Sequence, residues 1–524
     1  MSYPGSEESV DVEKQSGPLR KIIFEHAFSP AQQQVKKNDN HEDRPFIILP
    51  FTFRRLCDGQ VLLVNQAGEF LFLPADDFQS FVNGTLDLSS STAADLESKQ
   101  FVSLNNVETP IDLLATKLRT RKGYLRDFTA LHMIVLTCCC NCRCTYCQAS
   151  SLPEHATNIN MSRETARRVV DMVFQSPSNN IKIEFQGGEP TLNWDVLTYI
   201  VQYAETVNAR EKRVLEFVIC TNLTRITEEM LHFLQAHHIH ISSSLDGPKN
   251  LHDRHRILRD GSSSYDAFIK NLGLVRRIIG MNACAPLLTI TRDNLHHLKD
   301  VVDEYRRLEF HGIFLRPVNP YGYATDAWKN LCYSMDEFVH EYKSILQYII
   351  QLNIDGTPFV EYYTTLLLTR ILTPFSTGFM DLQSPAGAGI SGVIYDYDGS
   401  VYPTDEGRML ARMNNKRFLL GNVQTNSYEE IFLGESLRDL ISHSCVETMP
   451  GCAACAYQLY CGADPVRNYV ECGDITGHRP TSNFCKRNRA IFDHLFSLLR
   501  QDDPMTMDVF WSWITNRPLQ EVAI

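Results

Sequence analysis

The stretch Cys140-Asn-Cys-Arg-Cys144-Thr-Tyr-Cys147 decides how the rest of the chain is interpreted. Its spacing selects Cys140, Cys144 and Cys147, separated by three residues and then by two, with Tyr146 directly before the last cysteine. Three thiolates on one short loop can hold three irons of a cubane iron–sulfur cluster, and no fourth cysteine follows at a regular spacing. The remaining iron would stay open for a substrate or cofactor, as coordination positions do in catalytic metal sites. The pattern therefore predicts a catalytic metal centre on this loop.

The overall composition is that of a globular protein with several domains. The chain has 524 residues, of which 44% are hydrophobic and 21% charged, enough for two to four domains. A net charge of -12 argues against nucleic acid as the main partner. No apolar run reaches the ~18 residues needed to span a bilayer, and the first residues lack the apolar core of a signal peptide. We therefore expect a soluble, cytoplasmic protein that binds neither nucleic acid nor membrane.

The 16 cysteines are unevenly distributed. Six lie within 138–147, five lie within 445–472, and Cys485 follows closely. In a protein without a secretion signal, metal ligation explains such groups better than disulfides do. The isolated cysteines are expected to be packed thiols: Cys57, Cys220, Cys284 and Cys332.

The N-terminal part of the chain changes character near residue 45. Residues 1–44 are polar, charged and poor in aromatics, and we expect them to be disordered. In 45–107, two strand-like runs with turn residues precede two short helical patterns, which indicates a small domain of strands followed by helices. The basic region 110–128 is expected to be a linker or a helix over the next domain.

Strands and helices alternate between residues 131 and 320. Six short apolar runs are separated by amphipathic helical patterns, which is typical of an α/β fold with a parallel sheet covered by helices. Ligands bind at the C-terminal edge of such sheets. Polar residues follow the predicted strands at this edge: Cys140, Gly187, Gly188, Glu189, Asn222, Ser244 and Asp246.

The remainder of the chain is expected to form a helical connection and a cysteine-rich domain. Residues 331–390 have mainly helical patterns. A short hairpin opens the cysteine-rich segment 391–500, which ends in a helix from 486 to 500. Residues 501–524 are expected to be a C-terminal tail. The α/β domain between these parts and the small N-terminal domain is predicted to span 108–330.

The cysteine loop resembles the signature of the radical S-adenosylmethionine (radical SAM) superfamily. That family also has a Gly-Gly-Glu-Pro run after the next strand, which here is Gly187-Gly188-Glu189-Pro190. The resemblance implies a partial (β/α)6 barrel, a 4Fe–4S cluster on the three cysteines and SAM as cofactor. An isolated cysteine triplet also suits a zinc loop, and the Gly-Gly-Glu-Pro run argues against that alternative.

The resemblance also implies roles for the residues at the strand ends. The two glycines are expected to let backbone groups approach the methionine end of SAM closely, and Glu189 is expected to accept a hydrogen bond from its ammonium. Asn222, Ser244 and Asp246 would offer polar groups to the ribose, although such residues also serve as turn or capping residues. Tyr146 and Pro190 complete the expected cofactor-binding set.

Three further cysteines crowd the same loop. Only the selected spacing leaves Tyr146 in place, so we expect the others to be packing or oxidation-prone bystanders: Cys138, Cys139 and Cys142.

A second cysteine group resembles the SPASM domain that follows many peptide-modifying radical SAM barrels. The resemblance implies one auxiliary 4Fe–4S cluster on Cys452, Cys455, Cys461 and Cys485. Two departures from the family pattern, Thr404 after Tyr-Pro and Pro465 four residues after Cys461, imply that a second auxiliary cluster is lost. Two alternatives remain open. Cys445 or Cys472 could serve as a substitute ligand, and four cysteines at this spacing also suit zinc.

A narrower resemblance, over roughly 46–500, is to the His-Xaa-Ser system radical SAM maturases. It depends on six runs: LPFTFRRL…QVLLVNQAGEFLFL, LLATKLRTRK, FQGGEP, LQSPAGAGI, YCGADPV and GHRPTSNFC. It implies a small precursor peptide and a second radical SAM maturase as partners, with an electron donor such as flavodoxin or ferredoxin. The segment 45–107 is similar to PqqD-like modules, which bind a leader peptide by adding it to a sheet edge. A structural cap on the barrel is the alternative.

Three functions therefore compete. The first is radical modification of a ribosomally made peptide by C–H functionalisation, such as crosslinking. The second is oxidation of a protein side chain, as in the sulfatase-maturing relatives, which use two auxiliary clusters. The third is a non-catalytic, zinc-bound or iron–sulfur scaffold for a partner enzyme.

Overall fold

The structure is a computed structural model that describes residues 46–56, 58–104, 108–126 and 128–522. The predicted disordered tail at 1–44 and the predicted packed thiol of Cys57 lie outside these residues.

The first described segment forms a small sheet with helices after it. Strands β2, β3 and β4 form an antiparallel three-stranded sheet, and β1 pairs with β5. Gly59 and Gly68, with φ of 84° and 79°, provide the left-handed conformation that the two tight turns need. The elements are β1 (Ile47–Ile48), β2 (Phe51–Arg55), β3 (Gln60–Asn65), β4 (Phe70–Pro74), α1 (Ala75–Asn83), α2 (Ser91–Ser98), β5 (Val102–Ser103) and α3 (Glu108–Arg121).

Five parallel strands with helices between them form the centre of the molecule. Strands β6 to β10 lie side by side in chain order, so each crossover advances by one strand. Their elements are β6 (Leu131–Thr137), α4 (Arg163–Val173), β7 (Asn180–Gly187), α5 (Trp194–Glu211), β8 (Val214–Thr221), α6 (Glu228–Ala236), β9 (Ile239–Ser244), α7 (Lys249–His255), α8 (Ser264–Ile278), β10 (Cys284–Leu287), α9 (Arg292–Leu295) and α10 (Leu298–Arg307).

Apolar strand residues and helix N-cap residues in the sequence account for this alternation of strands and helices. Strand β6 is buried at every position from His132 to Thr137, as expected for a strand covered on both faces. Side chains of Ser162, Thr227 and Ser263 accept backbone N–H groups at the starts of α4, α6 and α8, which fixes where each helix begins.

The sixth expected strand is short and lies outside this sheet. Strand β11 (Gly312–Ile313) pairs with β12 (Val360–Glu361), and only a bridge between Ile290 and Pro317 continues the parallel order. The predicted α/β fold with a partial barrel is therefore confirmed, with a loosely joined last strand.

The predicted hairpin extends the sheet at the β6 edge. The sequence does not indicate this pairing. Strand β13 (Gly392–Tyr395) pairs in parallel with β6, and β14 (Ser400–Tyr402) and β15 (Gly421–Asn422) follow in antiparallel order. The cysteine-rich segment is thus joined by hydrogen bonds to the strand that precedes the cysteine loop.

The remaining helices cover the sheet and the C-terminal cysteines. Two of them lie within the predicted C-terminal tail at 501–524. Between residues 323 and 522 they are α11 (Tyr323–Asp326), α12 (Trp328–Leu331), α13 (Met335–Ile354), α14 (Tyr362–Leu372), α15 (Asp405–Arg412), α16 (Tyr428–Phe432), α17 (Glu435–Ser442), α18 (Pro465–Cys472), α19 (Asn483–Gln501), α20 (Pro504–Thr515) and α21 (Leu519–Val522). In the part of the chain that the structure describes, no helix is long and apolar enough to cross a membrane.

The small N-terminal sheet packs against the C-terminal helix α19. Phe70 and Phe72 of β4 contact the buried ring of Phe496, with ring centroids 5.2 and 6.3 Å apart. Arg54 of β2 pairs with Asp493 one turn earlier, at 2.5 Å. The small N-terminal sheet and helix α19 therefore stabilise each other.

We expect Phe496→Ala to destabilise the protein by about 3–5 kcal/mol, because it removes a fully buried ring that contacts both segments. Urea unfolding followed by tryptophan fluorescence measures the change. Phe375→Ala is the control, because that ring is 67% exposed. Equal stability of the two variants would contradict the packing described.

Candidate active site

The cysteine loop is held by backbone hydrogen bonds to two other segments. Cys140 N donates to Leu152 O at 2.8 Å, and Thr145 N donates to His255 O at 2.9 Å. The Arg259 Nε atom donates to Cys140 O at 2.9 Å. The loop after β6 is therefore fixed to the end of α7, although it has no regular secondary structure of its own.

The three predicted thiols meet in one cavity at the C-terminal ends of β6 to β9. We call this cavity, of about 250 Å³, the thiol cavity. Residues that line it include Cys140, Cys142, Cys144, Tyr146, Cys147, Gly188, Asn222, Ser243, Ser244, Arg256 and Leu287.

The three cysteines predicted to be bystanders, Cys138, Cys139 and Cys142, occupy two different environments. Cys138 and Cys139 pack into the hydrophobic core, with the Cys139 Sγ atom 3.6 Å from the carbonyls of Glu154 and Ala156. Cys142 instead lies among the predicted ligands, because its N–H is 3.3 Å from Cys140 Sγ and its own sulfur accepts from Asn222 Nδ2 at 3.4 Å. Proximity alone does not separate Cys142 from the selected three, so its bystander role stays a prediction.

The two glycines allow the end of β7 to lie directly against the start of the cysteine loop. A side chain at Gly187 would meet Thr137 O, and one at Gly188 would meet Cys139 O. Gly188 N and Glu189 N donate to these same carbonyls at 2.7 Å each. The close approach is therefore to the backbone of the loop. The expected approach to the methionine end of SAM remains a prediction for Gly188, which also lines the thiol cavity.

Glu189 connects neighbouring strand ends and does not reach the thiol cavity. Its fully buried carboxylate accepts four hydrogen bonds, from Thr191 N and Oγ1, Thr221 Oγ1 and Asn222 N, at 2.7–3.2 Å. Burial raises the pKa of Glu189 despite these donors. Three of these bonds end on Oε1 and one on Oε2, so Oε2 keeps an acceptor position and the expected ammonium contact stays a prediction. Pro190 follows as the buried first residue of a short helical turn.

The expected ribose-binding residues do not all face the cavity. Asn222 and Ser244 line it, whereas Asp246 is fully buried beneath it. The neighbouring Ser243 hydroxyl lies on the cavity lining, is buried and has no hydrogen-bond partner among the described residues. Sequence reasoning missed Ser243, because one more serine in the run Ser242-Ser243-Ser244 carries no signal of its own.

Asp246 instead positions Tyr146 and Arg256. The Tyr146 hydroxyl donates to Asp246, Arg256 Nε donates to it at 2.9 Å, and the guanidinium lies 5.3 Å from the centre of the Tyr146 ring. Burial opposes ionisation, but the Arg256 charge holds the pKa of Asp246 below its usual value. A hydrogen bond from Cys142 and the nearby Arg256 lower the pKa of Cys144 below its usual value.

The four predicted auxiliary ligands meet around a second, largely apolar cavity. Cys452, Cys455, Cys461 and Cys485 all line it, and we call them the C-terminal cysteine group. Burial raises the pKa of Cys452 to about 11 and that of Cys461 to about 12, so bound metal cations are needed to keep these thiols ionised.

The two possible substitute ligands, Cys445 and Cys472, do not line this cavity, and neither do Thr404 and Pro465. The thiol of Cys445 contacts the Ile441 carbonyl at 3.5 Å, and Cys472 is exposed at the end of α18. Thr404 caps α15 by accepting from Gly407 N at 3.1 Å, and Pro465 is the first residue of α18. These two family departures therefore have local structural roles as helix starts.

A third cavity, of about 320 Å³, lies beside the thiol cavity, and Leu287 lines both. We call it the inner cavity. A chain of hydrogen bonds connects it to the C-terminal cysteine group, because Tyr363 Oη donates to Asn488 Oδ1 at 2.7 Å and Asn488 Nδ2 lies 3.6 Å from Cys461 Sγ. Its lining includes Glu184, Leu287, Phe314, Arg316, Asn319, Tyr363, Phe379, Met380, Asp381, Asp405, Glu406, Asp464, Arg467 and Arg487.

The donor set suits multi-iron clusters and SAM. Among the described residues no three His, Cys, Asp or Glu side chains converge closely enough for a single metal ion. The thiols instead surround cavities, as ligands of a larger cluster do. The unpartnered Ser243 hydroxyl and the side-chain-free Gly188 leave polar and open positions for a cofactor beside them.

Comparison with known proteins supports this interpretation of the central domain. Residues 134–305 match the family model of the Radical SAM superfamily. A cysteine-type anaerobic sulfatase-maturating enzyme of Clostridium novyi is 23% identical over 375 residues, which cover 69% of this chain and 93% of that protein. The radical SAM cyclopropyl synthase TigE of Paramaledivibacter caminithermalis is 24% identical over 224 residues, which cover 40% of this chain and 44% of that protein.

Solved structures share the fold. The structure of anSMEcpe with bound AdoMet and Cp18Cys peptide has a TM-score of 0.59 at 20% identity and covers 71% of this chain and 98% of that one. Streptococcus suis SuiB bound to S-adenosylmethionine has a TM-score of 0.50 at 14% identity and covers 82% of this chain and 97% of that one. At these identities the likeness shows the fold alone. The family match identifies residues 134–305 as a radical SAM domain, for which SAM and a 4Fe–4S cluster are the cofactors.

Proposed function

We propose that this enzyme modifies a ribosomally made precursor peptide by C–H functionalisation. A crosslink within the peptide is one product that such a reaction can form. The observation that supports this most directly is the inner cavity, which adjoins the thiol cavity on one side and is linked through Asn488 to the C-terminal cysteine group on the other. A substrate side chain there would lie between the proposed radical source and the proposed auxiliary cluster.

When bound, the cluster and SAM would supply a 5′-deoxyadenosyl radical able to take a hydrogen atom from an unactivated C–H bond. The chain supplies the rest. Cys140, Cys144 and Cys147 would hold three irons, while Asn222 and Ser244 would contact the ribose. Asp246 acts indirectly, because it holds the ring of Tyr146 and the guanidinium of Arg256 at the cavity wall.

The C-terminal cysteine group is proposed to hold one auxiliary 4Fe–4S cluster. Its four thiols share one cavity, whereas Thr404 and Pro465 occupy the positions expected for ligands of another cluster. Iron and sulfide analysis of anaerobically purified protein should give about eight irons per chain for two clusters and about twelve for three. Zinc without iron would support the scaffold function instead.

The partners follow from the comparisons and the sequence resemblance. A peptide is bound in the similar anSMEcpe structure, and the resemblance to His-Xaa-Ser system maturases makes a precursor with such repeats the first candidate substrate. We propose a second radical SAM maturase as partner and flavodoxin or ferredoxin as electron donor. Cluster ligands must be reduced thiols, which favours a cytoplasmic location.

The N-terminal sheet is proposed to bind the leader peptide. Strand β2 is an edge strand, and Phe53 on it is 46% exposed. An extended peptide could add to this edge by main-chain hydrogen bonds.

Oxidation of a protein side chain is the second candidate function, favoured by the similarity to the sulfatase-maturating enzyme. Co-expression with a precursor peptide that carries His-Xaa-Ser repeats, followed by peptide mass spectrometry, tests the two. A precursor lighter by two hydrogen atoms within one peptide supports our proposal. An unchanged precursor together with an oxidised Cys or Ser in a sulfatase supports the alternative.

Cys144→Ala should abolish 5′-deoxyadenosine formation, because the cluster loses one of its three protein ligands. Reduction with dithionite and chromatography of the products measure this directly. Cys472→Ala, at an exposed cysteine outside both cysteine cavities, should behave as the wild type. Normal SAM cleavage by the Cys144 variant would refute the ligand assignment.

Cys455→Ala should leave part of the SAM cleavage intact while the modified peptide is lost, because the C-terminal cysteine group is separate from the thiol cavity. Parallel assays of 5′-deoxyadenosine and of the peptide product check this. If both persist at wild-type levels, the C-terminal group is structural.

Glu189→Gln should lower both the melting temperature and the affinity for SAM, the latter by about tenfold or more, because an amide cannot accept all four hydrogen bonds. Thermal unfolding and equilibrium binding measure the two effects, with the exposed Glu435→Gln as control. Weaker SAM binding at an unchanged melting temperature would instead indicate a direct contact with the SAM ammonium.

A further inference from the structure

Three carboxylates from separate segments meet on one side of the inner cavity. Asp381 comes from a short helical turn, Glu406 from the first turn of α15, and Asp464 from the N-cap of α18. Each is only partly exposed, and each faces the negative charge of another member of the group.

The guanidinium groups of the same cavity offset the charge of these carboxylates only in part. Arg467 Nε bonds to Glu471 at 3.2 Å, and Arg487 Nε bonds to Asn488 Oδ1 at 3.0 Å. Arg316 lies 3.9 Å from Glu406, beyond hydrogen-bond distance. Neither Asp381 nor Asp464 forms an ion pair with another described residue. The cavity nevertheless has net negative charge, because five carboxylates line it against three guanidinium groups.

Two polar atoms beside this group have no partner among the described residues. Asn319 Oδ1 belongs to a residue of the cavity lining and is buried. The Tyr321 hydroxyl is also buried, on a residue only 1% exposed, and the charges of Asp464, Glu406 and Asp381 act on it. Buried polar atoms are normally hydrogen-bonded, so the unpartnered Asn319 oxygen in the cavity lining indicates a position for a polar ligand.

Burial and mutual repulsion make ionisation of these three carboxylates unfavourable. A bound cation would offset this free-energy cost. Burial and mutual repulsion raise the pKa of Asp381 to about 6, and burial and the Glu406 charge raise that of Asp464 to about 6. Burial also raises the pKa of Glu406. A positive charge between them would stabilise the ionised forms and would provide donors for the Asn319 oxygen.

Other parts of the cavity lining are apolar. Leu287, Phe314, Phe379 and Met380 line it. Lysine and arginine side chains match this division, because their alkyl stems pack on apolar surface while the charged head reaches polar groups. The aromatic rings add favourable contacts for a cation.

From these observations we propose that the inner cavity selects a peptide residue with a basic side chain, whose cationic head binds Asp381, Glu406 and Asp464. This inference rests on the proposed function, since it names the class of residue that a peptide would place beside the thiol cavity.

Equilibrium binding of short probes to the SAM- and cluster-loaded protein tests the proposal. The probes are N-acetyl-glycyl-X-glycine amides in which X is lysine, arginine or the uncharged norleucine. The lysine and arginine probes should bind at least about tenfold more tightly than the norleucine probe. Equal binding of all three would overturn the proposal.

The double variant Asp381→Asn/Glu406→Gln should lose this preference, whereas Glu435→Gln, at an exposed site, should keep it. The double variant should have a melting temperature no lower than the wild type, because it removes repulsion between buried charges, so loss of binding would not reflect unfolding. A preference that survives in the double variant would overturn the assignment to these residues.

The outcome is independent of whether the proposed function itself holds. If the precursor is modified but the probes show no preference, this inference fails and the proposed function stands. If the probes show the preference while no peptide is modified in cells, the proposed function fails and the binding site stands.

Discussion

The architecture of the site depends on one close backbone approach, between Gly187 and Gly188 at the end of β7 and the carbonyls of Thr137, which ends β6, and Cys139, which follows it. Any side chain at these glycines would collide with those carbonyls. The two hydrogen bonds made there place the start of the cysteine loop at a fixed position against the neighbouring strand. Glu189 extends the same connection to β8 by accepting from Thr221 and Asn222.

This arrangement explains why a short irregular loop can serve as a metal-binding element. A loop that carries six cysteines has little secondary structure to hold its thiols in place. Here its backbone is bonded to β7 on one side and to the segment after α7, at His255 and Arg259, on the other. The side chains can therefore converge on one cavity before any cofactor is present, which lowers the entropy lost on binding.

Much of this was predictable from the sequence. The apolar runs and helix caps indicated the parallel sheet, and cysteine spacing indicated both cysteine groups, because these signals are local. The roles of Glu189 and Asp246 were not predictable in detail. A carboxylate after a strand can contact a ligand or accept hydrogen bonds from buried donors of the protein, and the tertiary structure determines which of the two occurs. Pairing of β13 with β6 also escaped the sequence, because a hairpin's own pattern does not specify which distant strand it joins.

The inner cavity carries no sequence signal at all. Asp381, Glu406 and Asp464 are ordinary acidic residues in unrelated segments, and they become a group only when the C-terminal region closes over the sheet. The excess of carboxylates over guanidinium groups gives this cavity a net negative charge. The cysteine spacing within one loop specifies the proposed radical source. The tertiary structure specifies the environment of the proposed substrate.

The central claim is that Cys140, Cys144 and Cys147 leave one iron open for SAM. Electron–nuclear double resonance on the reduced enzyme, with SAM labelled at its amino nitrogen and carboxylate oxygen, tests this most directly. The account predicts hyperfine coupling of both labels to the cluster in the wild type and in Cys138→Ala, whose thiol lies in the core. A reduced, iron-loaded protein that shows no coupling to either label would contradict it.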